Sequence, residues 1–241
     1  MAQLYANPYG YDCKGFYFDS LEDYEKKYKA NLHSAGVSPC EEYSIEFIDG
    51  SGAEAAVFAA MEIHQGTVKD WFEVEDRAGG GSELAALFWL SQRYGGGSSA
   101  EELLDKVDEV YVFEGDKGAY AWEFGQDVGI ENADPNGYYF DYDSFGRDLR
   151  IDGYPNYGET AEEMGHTQKE HDDNEAYYAR MSNQELGEEY VDSVGGVEAM
   201  GKAVENYFDY DALGRDMGIN GDIDEFTFDG KTYVVTNAYE I

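Results

Sequence analysis

Basic residues are scarce: 16 lysines and arginines stand against 52 aspartates and glutamates in 241 residues, a formal net charge of −36. Direct nucleic-acid binding needs a basic patch, and here the few cations are scattered among acids, so that class is disfavoured. Cysteine is nearly absent too. Cys13 and Cys40 have no CxxC spacing and no Cys or His cluster around them, so they are expected to be free thiols in a reducing compartment rather than a disulfide. The start MAQLYANPYG lacks the basic region and apolar run of a signal peptide. The longest apolar run, LAALFWL from Leu84 to Leu90, is far short of the roughly 20 residues that span a bilayer. These absences point to a soluble cytoplasmic protein with no membrane partner.

Motifs of catalysis are missing as well. No GxSxG, SxxK or Cys/His constellation marks a nucleophile, and 52 carboxylates give no means of selecting a glycosidase pair. The glycine runs at 79–81 and 95–97 lack both the Gly-Lys-Ser/Thr ending of a phosphate loop and the GxGxxG spacing, so they read as helix caps and joints. Asp141 and Asp143 match the first two ligands of a calcium loop, but Phe145 then offers no oxygen and Asp152 replaces the bidentate Glu. His166 and His171, near Glu163, Glu170 and Asp172, lack a metal-binding spacing. No enzyme activity, cofactor or metal is expected.

What the chain does have is core material and acid. Its 42% hydrophobic and 16% aromatic content argues against disorder. Duplex DNA carries one negative charge per about 1.7 Å of axis, so 36 charges correspond to roughly 60 Å of duplex. That match motivates a DNA-mimic reading. The alternatives from charge alone are solubility or adaptation to high salt on a protein of unidentified activity.

Local patterns alternate between strand and helix. Strands are expected near Leu4–Tyr5 and from Gly15 to Phe18, followed by a helix capped by Ser20 with Glu22/Lys26 and Glu25/Lys29 pairs. EEYSIEFIDG has period 2, with Tyr43, Ile45 and Phe47 inward. SELAALFWLSQRY reads as a buried helix, Ser99 and Glu102 as a capping box, and DEFTFDG with KTYVVTNAY as a terminal hairpin. YVFEGDKGAYAWEFGQDVGI reads as a loop and a helix. The expected class is α+β: several small α/β modules in series with an acidic, DNA-like surface. The stretches are 1–52, a mainly helical 53–98, 99–156, and a connector plus degenerate repeat over 157–241.

The repeat is the clearest feature. YFDYDSFGRDLRIDG from Tyr139 returns 68 residues later as YFDYDALGRDMGING from Tyr207, ten of fifteen positions being identical. Asp143 with Arg147, and Asp211 with Arg215, are placed to staple a short helix. Tyr142, Phe145 and Leu149, and in the second copy Tyr210, Leu213 and Met217, are expected to bury. Asp148, Asp152 and Asp216 are then expected to face solvent. Two further acidic stripes follow helical spacing: Glu101, Asp105, Asp108 and Glu109, and Glu185, Glu188, Glu189 and Asp192. Side chains at i, i+3 and i+4 stand about 5–6 Å apart at Cβ, within the range needed to imitate successive phosphates. These eleven acids are the candidate partner-binding surface.

LYANPYGYDCKGFYFD, EEYSIEFIDG, YVFEGDKGAYAWEFGQDVGI and YFDYDSFGRDLRIDG, in that order over residues 3 to 153, resemble the ArdA antirestriction proteins. The resemblance implies an elongated chain of three α/β modules, commonly a homodimer. It also implies a DNA mimic that occupies the DNA-binding groove of type I restriction-modification enzymes in a bacterial host. A CRISPR effector or another DNA-binding defence complex is the alternative target. The C-terminal third departs from the family pattern by its extra repeat. That repeat either lengthens the mimic or replaces the family's dimer contact.

Overall fold

The computed structural model describes residues 2–32, 36, 40–95, 99–154 and 168–241. The chain is α+β and falls into two compact units, Met1–Asp116 with Met217–Ile241, and Lys117–Asp216.

The first unit begins with an antiparallel sheet of β1 (Gln3–Pro8), β2 (Phe16–Phe18) and β3 (Tyr43–Asp49), in the order β2-β1-β3. The period-2 pattern is realised: Leu4, Ala6, Phe18, Tyr43 and Ile45 are buried on one face. Helix α1 (Leu21–Ala30) starts at Ser20, whose hydroxyl accepts the Asp23 amide at 3.3 Å, and Lys29 pairs with Glu25 at 3.0 Å. Helices α2 (Gly52–Ala60), α3 (Val68–Arg77), α4 (Gly81–Tyr94) and α5 (Ala100–Val107) complete the core. Trp71 is fully buried, and Phe58 and Phe47 meet it edge-on at 5.2 and 5.9 Å.

Cys13 and Cys40 form a disulfide with Cα atoms 6.0 Å apart, which corrects the expectation of free thiols. Sheet register is the reason. Pro8 pairs with Tyr43, so the turn after β1, which holds Cys13, and the segment entering β3, which holds Cys40, lie at the same end of the sheet. A spacing of 27 residues carries no local sign of this.

A second antiparallel sheet has the order β4-β6-β5, from β4 (Val112–Glu114), β5 (Asp224–Phe228) and β6 (Lys231–Val235). The terminal hairpin is as expected, with Asp229 and Gly230 both at positive φ in its two-residue turn. Strand β4 corrects the reading of a loop there. Val112 is opposite Val235, a partner too distant in sequence for local pattern to reveal. Trp89 on α4 donates to Asp224 at 2.8 Å and joins this sheet to the helices.

The second unit is helical: α6 (Lys117–Val128), α7 (Ile130–Ala133), α8 (Tyr142–Ile151), α9 (Gln168–Tyr178), α10 (Asn183–Val194), a 3₁₀ stretch Val197–Asn206 interrupted at Gly201, and the start of α11 (Tyr210–Asn220). Phe140, Phe145, Leu186, Val191, Phe208 and Leu213 are buried within it. The residues between Tyr154 and Gln168, including Glu163 and His166, lie outside the described residues. Among the described residues no helix is long and apolar enough to cross a membrane.

Candidate functional site

The two copies of the repeated element meet each other. Phe140 and Phe208 form an antiparallel bridge. The amide of Asp141 donates to the carbonyl of Tyr207 at 2.7 Å, and the amide of Asp209 donates to the carbonyl of Tyr139 at 2.8 Å. Side chains repeat the reciprocity. The Tyr207 hydroxyl donates to Asp148 at 3.0 Å, and the Tyr139 hydroxyl donates to Asp216 at 3.0 Å. Desolvation, followed by the aspartate acceptor, holds both phenols above their ordinary pKa, so they remain donors.

This geometry corrects two expectations. Arg147 and Arg215 do not staple to the acid four residues earlier; each pairs with the aspartate that follows it, at 3.2 and 3.0 Å. Asp148 and Asp216 are half-buried and hydrogen-bonded rather than simply turned to solvent. The reason is shared. A tyrosine from the other copy fixes one carboxylate oxygen, and the anchored charge then attracts the neighbouring guanidinium. Asp141 caps α8 through the Ser144 amide at 2.9 Å, and Asp209 does the same for α11 through Ala212 at 2.9 Å. Hydrogen bonding from the Ser144 side chain, and then from its amide, pulls the Asp141 carboxyl below its usual pKa.

Glycines set the helix packing around this contact. A Cβ on Gly146 of α8 would lie 1.8 Å from the Asn183 carbonyl oxygen at the start of α10, and one on Gly214 of α11 would lie 2.2 Å from the Lys117 carbonyl oxygen at the start of α6. Copy one therefore packs its helix on the helix that precedes copy two, and copy two packs on the helix that precedes copy one.

The α10 stripe stands beside this pair. Glu185, Glu188 and Asp192 are exposed, and Glu189 is half-buried. Glu185 also closes a capping box, receiving the Ser182 amide at 2.7 Å and hydroxyl at 2.9 Å, and these bonds hold its carboxyl below the usual range. Asp152 caps the C-terminus of α8 and is exposed. In the first unit Glu101, Asp105, Asp108 and Glu109 are all exposed, opposite the buried Leu103 and Leu104. Helix α5 stops at Val107, however, so Asp108 is its C-cap and Glu109 lies in a tightened turn. Asp105 is also within 3.7 Å of Arg77.

Residues 156–230 match the antirestriction protein (ArdA) family. No curated protein and no solved structure matches the chain. The ArdA match covers the described α9, α10, 3₁₀ stretch, second repeat copy and β5, and includes the whole α10 stripe. It thus falls on the C-terminal segment, whereas the motifs read as ArdA-like in the sequence lie over residues 3 to 153.

Within the ArdA-matching segment, α9 and α10 enclose a groove of about 750 Å³ lined by Asp173, Tyr177, Arg180, Glu185, Glu188 and Asp192, among others. The first unit has a groove of about 740 Å³ that sequence reasoning missed, lined in part by Asp19, Glu54, Lys69, Phe72, Glu73 and Glu75. Burial pushes the Glu75 carboxyl up, the Ala2 amide pulls it back, and Glu54 and Asp19 push it up again. These acids come from the turn before α1 and from α2 and α3, so no spacing rule groups them. Among the described residues no cluster of His, Cys, Asp and Glu is arranged to hold a metal ion.

Proposed function

We propose that the protein is a DNA-mimic antirestriction protein that occupies the DNA-binding groove of a type I restriction-modification enzyme. The observation that carries this reading is the α10 row of Glu185, Glu188, Glu189 and Asp192, which lies inside the segment that matches antirestriction proteins. Carboxylates at this helical spacing stand about 5–6 Å apart at Cβ and offer a cationic groove what DNA phosphates offer. Glu101, Asp105, Asp108, Glu109 and Asp152 belong to the same proposed display. Asp148 and Asp216 add charge while also holding the repeat together.

Charge is not confined to one part of the chain. The first unit has 28 acidic and 9 basic residues, and the second has 24 and 7. Each unit alone is therefore repelled by DNA and attracted to a DNA-binding groove. Lysines and arginines of the target exchange phosphates for carboxylates, so the complex weakens as salt rises. Inhibition of this kind is binding alone and requires no catalytic group or cofactor.

The test is competition: the purified protein is titrated against a type I restriction-modification enzyme bound to labelled DNA at low and moderate salt. Stoichiometric displacement that weakens with salt is expected. A folded sample that displaces no DNA at either salt overturns the choice of target.

A further inference from the structure

The reciprocal contacts have the defining property of a two-fold interface, in which residue i of one half meets j of the other and j meets i. Tyr139 bonds Asp216 while Tyr207 bonds Asp148. The amide of Asp141 bonds the carbonyl of Tyr207 while the amide of Asp209 bonds that of Tyr139. Phe140 faces Phe208 across the axis, and Gly146 and Gly214 seat their helices on the helix preceding the other copy. Every member of each pair is related by the same 68-residue offset that relates the repeats.

We infer that the repeated element is a self-recognition surface whose fitting partner is a second copy of itself, and that this chain supplies both copies and closes the pair internally. The polar atoms that would direct such a surface to another molecule are already used. Both phenols donate, and both aspartates accept from a phenol of the other copy and from their own arginine. Aromatic packing is also shared across the pair: Tyr207 lies 5.1 Å from Phe145 and 6.1 Å from Phe140, and Tyr139 lies 6.1 Å from Phe208. A chain with one such element would have to find its pair in a second chain; this chain does not. The inference stands without the functional reading above.

The test uses the full chain and substitutions that keep side-chain size, Phe removing the phenol donor and Asn removing the carboxylate charge. Two double-mutant cycles by thermal unfolding pair Tyr207→Phe with Asp148→Asn, and Tyr139→Phe with Asp216→Asn. A control cycle pairs Tyr207→Phe with Asp216→Asn. Strong coupling is expected in the first two, the double variant losing little more in Tm than the larger single, and additivity in the control. The wild-type Tm is expected to be the same at low and high protein concentration, with the mass of one chain by light scattering. An association between chains would instead make Tm concentration-dependent. Additive behaviour in the first two cycles overturns the reciprocal contact. A concentration-dependent Tm with the mass of two chains overturns its closure within the chain.

Discussion

The two copies of the repeat share their contacts but not the charge of the helices they rest on. Asn183 of α10 and Lys117 of α6 occupy equivalent places, each meeting the motif glycine of the copy that packs on it. Counting from those residues, Glu185, Glu188, Glu189 and Asp192 of α10 correspond to Ala119, Trp122, Glu123 and Gln126 of α6. Three of four carboxylates have no counterpart. What recurs is the bridge phenylalanine, the glycine at close approach and the tyrosine–aspartate exchange. Duplication has thus reproduced an interface, whereas the acidic row belongs to one helix. The α10 row makes none of the pairing contacts, so substitutions in it are expected to leave the pairing intact.

The largest effect is expected from the disulfide, which lies in the first unit. Closing a separation of 27 residues contributes roughly 3.5 kcal/mol in the chain-entropy description. Reductant or Cys13→Ser is expected to lower the unfolding midpoint of the first unit while leaving the Tyr207–Asp148 coupling intact. Loss of that coupling on reduction would break the separation of the two regions.

Next in size are the close-packed glycines. Gly146→Ala and Gly214→Ala should each destabilise by about 1–3 kcal/mol, because carbonyl oxygens stand where the methyl would go. Denaturant titration of the two variants should give similar losses; a large loss at one position only would show that the copies are not equivalent in packing.

Smaller losses, about 1 kcal/mol each, are expected for Tyr139→Phe and Tyr207→Phe, since each removes one partly exposed hydrogen bond to a carboxylate. Their pH dependence has a definite sign. Both phenols have a folded-state pKa above the unfolded value, so their contribution is full below the ordinary tyrosine pKa of about 10 and is lost as pH rises through the folded value. The double variant should therefore have a flatter alkaline limb in a plot of Tm against pH.

Salt should act in opposite directions on stability and on binding. Screening relieves repulsion among the 52 acids, so added salt raises the Tm of the free protein by a modest amount, while displacement of DNA from the target weakens. Salt-strengthened displacement would contradict an ionic interface.

Local signals were legible wherever a contact closes within a few residues. The Ser20 cap, the Ser99–Glu102 capping box, the alternation of β3 and the Asp229-Gly230 turn all follow from neighbouring side chains. What escaped depends on distant partners: β4 needs β6, Cys13 needs Cys40, and the first-unit groove gathers acids from three places. The repeat itself is legible, but spacing alone assigns its aspartates to solvent. A usable signal was present, because both copies keep the tyrosine as well as the aspartate nine residues later, and a polar pair kept twice suits reciprocal contact. Glu185 carries a second local signal, since Ser182 precedes it at capping-box spacing.

The central claim, that the carboxylates of α10 bind a partner while the repeat binds itself, is tested most directly by one variant in the competition assay. Glu185, Glu188 and Glu189 are replaced by Gln and Asp192 by Asn, the glutamine at 185 being able to keep the capping box. The account predicts a Tm close to wild type and a displacement of DNA weakened roughly tenfold or more, as expected when several charges facing a cationic groove are removed. A folded variant that displaces DNA as well as the wild type would contradict it.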